Sequence, residues 1–128
     1  MENSVTSELL LKETSFQILA AAFEVHNVLG SGFLENVYQN AFVKELLSRD
    51  LKVEVQKAIS ISYKGEEVGS YNADIVVNSE IILELKALES LAKIHEAQLL
   101  NYLKGTGLKL GFLINFGKEK VEYKRMVV

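Results

Sequence analysis

The sequence predicts an α/β (α+β) fold in which a mixed central sheet is flanked by helices. Apolar residues recur at helical spacing as far as Leu46, and from Val53 onward they alternate as strand residues do. A second helical stretch then separates three strand-like segments from an almost wholly apolar run, Leu108 to Phe116, which reads as a buried strand.

The elements follow in order. Glu8 to Leu29 reads as a helix, favoured by Phe16, Leu19, Phe23 and the Ala20-Ala21-Ala22 run. Ser7 is placed to cap it, and Gly30 to end it in a left-handed conformation. After Gly30-Ser31-Gly32 a second helix, Leu34 to Ser48, carries a stripe of Leu34, Val37, Tyr38, Ala41, Phe42 and Leu46. Val53, Val55, Ile59 and Ile61 mark a strand that ends at the turn Tyr63-Lys64-Gly65-Glu66. Val68 to Val77 and Ile81 to Ala87 are two more strands, parted by Asn78-Ser79-Glu80. Leu91 to Lys104 is helical, and Lys120 to Val127 is a charged edge strand after the buried one. The order ααβββαββ implies an antiparallel meander, a helical crossover and a fourth strand that can lie parallel to the third.

Composition narrows the function classes. At 128 residues, 48% hydrophobic and 24% charged, the chain has the content of one globular domain, residues 1–128. It contains no cysteine, which excludes disulfides and thiolate metal sites. Ile18 to Phe23 is too short to span a bilayer, and Glu2 and Glu8 stand where a signal peptide wants positive charge. The expectation is a cytoplasmic protein without a membrane partner. A net charge of −3 argues against a general positive field for nucleic acid, although carboxylates meant for a metal count as negative until it binds.

One constellation carries chemistry. In Ile82-Leu83-Glu84-Leu85-Lys86, alternation puts Glu84 and Lys86 on one face and Leu83 and Leu85 on the other. On the preceding strand Asn72, Asp74 and Val76 should share a face, opposite Ala73, Ile75 and Val77. A three-residue loop at 78–80 sets Asp74 across from Glu84, with Cβ atoms about 4.5–5.5 Å apart. Two such carboxylates repel unless a cation or proton lies between them, and their oxygen donors suit Mg²⁺ or Mn²⁺. Lys86 could then orient or deprotonate a water, or neutralise charge on a phosphate. A solvated face of mixed charge would also explain Glu-x-Lys. The apolar context of both strands favours a site, because buried charges need partners.

Asp74 followed by Glu84-Leu85-Lys86 resembles the PD-(D/E)xK nuclease signature. The chain is similar over nearly its whole length to the GxxExxY branch, whose motif is read at Gly32-Phe33-Leu34-Glu35-Asn36-Val37-Tyr38. Glu24-Val25-His26, Tyr63-Lys64-Gly65, His95-Glu96-Ala97-Gln98-Leu99-Leu100, Gly107-Leu108-Lys109-Leu110-Gly111 and Leu113-Ile114-Asn115-Phe116 match as well. Ser31 departs from the proline that relatives often carry between the two glycines. The resemblance implies an αβββαβ core, a metal held by Asp74 and Glu84, and Lys86 as catalytic lysine. It also implies Glu35 as the helical glutamate that completes the metal site.

Supporting residues keep two readings each. Glu35 lies on the apolar stripe of its helix, where it would need a partner, but Glu45 lies there too. Tyr38 is either site residue or core aromatic with a locally satisfied hydroxyl. His95, Gln98 and Tyr102 share a helix face with Leu91, Ile94 and Leu99. Gln98 and Tyr102 resemble the Gln-x-x-x-Tyr pair of some exonuclease members, so Gln98 could bind a phosphate or a water. They could equally be a buried amide and phenol that bond each other. His26 reads as a cap or packing residue, and Lys118, Lys120, Lys124 and Arg125 as a solvated edge.

The sequence thus predicts a Mg²⁺- or Mn²⁺-dependent nuclease acting on DNA, with Asp74, Glu84, Glu35, Lys86 and Gln98 at its site. The alternative is a nucleic-acid- or protein-binding module that keeps the fold without the chemistry. A third reading is a homodimer, or a subunit completed by a protein partner.

Overall fold

The computed structural model describes residues 4–128. Helix α1 spans Ser4–Leu29, so Ser7 lies inside the helix and is not its cap. It ends as expected at Gly30, whose φ of 71° suits glycine and whose N–H donates to the His26 carbonyl at 2.7 Å. Helix α2, Glu35–Ser48, starts after Leu34, an extended residue that is exposed and so does not belong to the buried stripe. Tyr38, Phe42 and Leu46 do bury.

Strands β1 (Val53–Tyr63), β2 (Glu66–Val77) and β3 (Ile81–Lys86) form the antiparallel meander. Helix α3 (Lys93–Thr106) crosses over to β4 (Leu110–Asn115), which pairs parallel with β3. Strand β5 (Glu122–Val127) closes the edge beside β4, giving the order β1-β2-β3-β4-β5. Every residue of β4 is buried, as a parallel strand covered on both faces requires.

Each face of the sheet has its own core. Ile18, Ala21, Ala22 and Val25 of α1, with Tyr38, Phe42 and Leu46 of α2, pack on Ile75, Leu83, Leu85, Phe112 and Ile114. Leu99 and Leu103 of α3 pack on Ala73, Val76, Ile82 and Leu113 on the other side. Phe16 and Phe23 face outward from α1. No helix among the described residues is long and apolar enough to cross a membrane.

Alternation fails at one rung, and this corrects the expected face assignment. Val53 packs with the α1–α2 core, whereas Ile59, six residues on, packs with the α3 core. On β2, Ile75 faces α1–α2 while Ala73 turns to α3 and joins Val76. The inversion centres on Gln56, which has a φ of 51° and lies opposite Asp74 in the register that pairs Val55 with Ile75 and Lys57 with Ala73. A left-handed residue in a strand turns the following side chains to the other face. The outer half of the β1–β2 hairpin therefore leans over α3.

Candidate active site

The ladder between β2 and β3 has three pairs, Ile75–Leu83, Val76–Ile82 and Val77–Ile81, and extending it sets Asp74 against Glu84 as the loop length predicts. The strands part there. Asp74 Oδ2 accepts the Leu85 backbone N–H at 2.8 Å, a role that a carbonyl of β2 would otherwise fill. Its Oδ1 accepts from Gln56 Nε2 at 3.3 Å, and the same amide donates to Gln39 Oε1 of α2 at 3.0 Å. Asp74 is thus held by groups from β1 and β3, with α2 behind them.

Glu84 is the most perturbed carboxyl. Its Oε1 is buried and has no hydrogen-bond partner. Burial first, and then the negative charge of Asp74, pushes its pKa up to about 8, with Lys86 acting the other way. Glu35 opens α2 with an exposed side chain, so it does not sit on a buried stripe. Partial loss of hydration, followed by the charge of Asp74, raises its pKa, and Lys86 again opposes. Asp74, Glu84, Glu35 and Lys86 therefore share one electrostatic neighbourhood. None of the ion pairs among the described residues includes Lys86.

Among the described residues, no group of three or more His, Cys, Asp or Glu side chains is gathered closely enough to hold a metal ion. Glu35 therefore stands apart from a single three-carboxylate cluster as the side chains lie. The remaining donor set still fits a hard divalent cation. Asp74 and Glu84 supply oxygens alone, and a buried carboxylate oxygen without a donor is what a cation satisfies.

Tyr38 is fully buried and stacks on Phe116, with ring centroids 4.9 Å apart. Its hydroxyl donates to the Gly30 carbonyl at 2.5 Å and accepts from the Phe33 N–H at 3.3 Å. It fixes the turn that launches Glu35 and leaves no hydroxyl for chemistry. His95 caps α3, its Nδ1 accepting the Ala92 N–H at 3.0 Å. Gln98 is exposed and does not form the expected buried pair with Tyr102, and Ile94 also faces out. Tyr102 instead stacks on Tyr71 of β2, with centroids 3.5 Å apart and planes 15° apart. His26 is a packing residue, stacked on Phe116 and bonded to the Lys118 carbonyl at 2.8 Å.

Gln56 and Tyr71 carry roles in the site region that the sequence does not assign, and Asn115 has one beyond its place in Leu113-Ile114-Asn115-Phe116. Tyr71 has a buried hydroxyl without a partner, and its pKa is raised by burial and then by Glu84. The sequence gives no sign of it, because its stack on Tyr102 arises only in the fold. Asn115 is fully buried and clamps the segment after β3: its Oδ1 accepts Leu88 N–H at 2.9 Å and Gly117 N–H at 3.1 Å. Its Nδ2 donates to the Leu88 carbonyl at 3.0 Å and to Glu122 Oε1 at 3.2 Å. Its signs in the sequence are a polar residue ending an apolar strand and its place in the stretch Leu113-Ile114-Asn115-Phe116.

The family model described as the PD-(D/E)XK nuclease superfamily matches residues 12–126. A solved structure described as "Crystal structure of SSO0001" is similar in fold, with a TM-score of 0.54 and 18% sequence identity. The match covers 73% of this chain and 50% of that one, so the chain spans about half the length of that structure. No curated protein matches the chain.

Proposed function

The chain belongs to the PD-(D/E)XK nuclease superfamily, and from there we propose that it is a divalent-cation-dependent nuclease of the GxxExxY branch that cuts DNA within residues 1–128. Asp74 and Glu84 would hold Mg²⁺ or Mn²⁺, and Glu35 would join them from α2 as a third carboxylate only after its side chain moves. Bound there, the ion would supply Lewis acidity to a phosphodiester and lower the pKa of a water.

The chain's own groups divide the remaining work. Lys86 places a positive charge beside Glu84, where it can neutralise charge that builds on a phosphate or orient an attacking water. Asp74 is fixed by Gln56 and Leu85, so its carboxylate does not have to reorganise. Gln98, exposed on α3, is free to meet a phosphate or a water from solvent. The observation that carries the reading is the buried, unpartnered Glu84 Oε1 across from Asp74.

The test is incubation with circular and linear, single- and double-stranded DNA and RNA, with Mn²⁺ and then with chelator. DNA cleavage that chelator abolishes supports the reading, and inertness toward every substrate overturns it. Calorimetric titration with Mn²⁺ separates a non-catalytic binding module, which takes up no ion. A second reading, a subunit whose channel forms by self-association, is favoured by Leu9, Phe16 and Phe23, exposed at seven-residue spacing on α1. Size-exclusion chromatography tests it.

A further inference from the structure

Among the described residues, two buried side-chain polar atoms have no hydrogen-bond partner: Tyr71 Oη and Glu84 Oε1. They belong to the same neighbourhood, since Glu84 and Asp74 both act electrostatically on the Tyr71 phenol. Their chemistry is complementary. Once a cation displaces the Glu84 proton the carboxylate only accepts, and a phenol has a proton to donate. A buried hydroxyl left unpaired forfeits its hydration without return, so native structures rarely leave one without a reason.

The backbone brings them together. Regular alternation along β2 would put Tyr71 on the face opposite Asp74 and Glu84. The inversion at the Gln56–Asp74 rung turns Ala73 to the α3 side instead, and Tyr71 packs with it against that core. The stack on Tyr102 then fixes the ring. The result is a phenol held on the α3 side of the sheet, the side Glu84 takes because Leu83 and Leu85 turn to the other core.

We propose that Tyr71 is a further residue of the cation site, its phenol O–H donating to the oxygen ligand carried by an ion on Asp74 and Glu84. That oxygen belongs to a water or to a phosphodiester, and both offer the lone pair the phenol needs. The inference rests on the nuclease reading above. Tyr102 acts on it only as a positioning residue, through the stack.

The test uses Tyr71→Phe, which keeps the ring and its stack and removes the hydroxyl. The chain has five tyrosines and no tryptophan, so its near-ultraviolet difference absorbance reports tyrosine environments cleanly. Mg²⁺ is added to the native and variant proteins, first alone and then with dimethyl phosphate as an inert phosphodiester, and uptake is followed by calorimetry. A tyrosine signal on Mg²⁺ alone that Tyr71→Phe lacks identifies water as the acceptor. A signal that needs dimethyl phosphate identifies the phosphodiester. In either case the variant should bind the corresponding ligand about tenfold more weakly, the effect of one hydrogen bond to a charged group. Equal spectra and equal affinities in the two proteins sink the role of Tyr71 while leaving the cation site standing. A native chain that takes up no Mg²⁺ overturns both.

Discussion

Asp74 and Leu85 are joined by a side-chain-to-backbone hydrogen bond of 2.8 Å at the point where β2 leaves β3. One carboxylate thus completes the sheet and is also a proposed ligand of the cation. The two roles separate by substitution. Asp74→Asn keeps an oxygen for Leu85 and removes the charge, so the fold should hold while Mn²⁺ uptake falls at least tenfold. Asp74→Ala leaves the Leu85 N–H without its partner and should cost about 1–3 kcal/mol. Urea denaturation and calorimetric titration of the two variants check this.

Lys86→Ala should keep the fold and the uptake of Mn²⁺, because Lys86 forms none of the ion pairs among the described residues. Cleavage should drop about 100-fold or more, the usual effect of removing an electrostatic or general-base group. Single-turnover rates on the best substrate measure it. An unchanged rate removes Lys86 from its assigned role.

Glu84 makes stability depend on pH in a definite direction. Its carboxyl titrates near 4.5 when unfolded and at about 8 when folded, so the folded state holds the proton more tightly. Without a cation, this stabilisation is complete below about 4.5 and is lost as pH rises to about 8, by at most about 1.4 kcal/mol per pH unit. Glu84→Gln should flatten that slope and abolish cation uptake. An ion held as proposed by Glu84 would compete with the proton, so Mg²⁺ affinity for the native chain should climb across the same window. Denaturation curves in chelator over this range, with and without the substitution, decide the matter.

Gln56 has two separable effects, an unfavourable backbone and a favourable side chain. A non-glycine residue at its φ of 51° costs about 1–2 kcal/mol, and its amide steadies Asp74. Gln56→Gly should leave the protein as stable as before or more so, yet weaken Mn²⁺ binding. Gln56→Ala should lose on both counts. Thermal melts paired with titration distinguish the pair, and undiminished affinity in both variants would remove Gln56 from the site.

Gly117 should refuse any side chain. A Cβ there would lie 2.2 Å from the Leu88 carbonyl oxygen and 2.4 Å from its nitrogen, both backbone atoms. Gly117→Ala should destabilise the chain by about 2–4 kcal/mol, in the range of severe steric substitutions. The shift of the urea midpoint reads this directly.

How much was legible in the sequence depends on which residues carried the signal. The register that sets Asp74 opposite Glu84 follows from a three-residue loop and the apolar partners Ile75, Val77, Ile81 and Leu83, because register is strongly set wherever a face is buried. The crossover to a parallel β4 followed from an apolar run that only a doubly covered strand explains. The inversion at Gln56 was hidden, since glutamine gives no hint of a positive φ and the period-two rule assumes none. That error put Ala73 on the wrong face and left Tyr71 unnoticed. A helical wheel sets Leu34 and Ile94 on apolar faces although both are exposed, because it cannot tell which end of a helix overhangs its sheet. Glu35 was placed in the site by motif likeness, and what the fold adds is its electrostatic link to Asp74 and Lys86.

The Asn115 clamp divides the molecule for anyone wishing to engineer it. The segment leaving Lys86 is stitched at Leu88, Gly117 and Glu122, and the Lys86 carbonyl accepts the Phe116 N–H at 2.9 Å. A tag or loop graft inserted there would unthread several stitches at once, directly beneath the lysine. The tip at Lys64 and Gly65, at the far end of the leaning hairpin, carries no such burden. Fusion partners and reporter peptides belong at that tip.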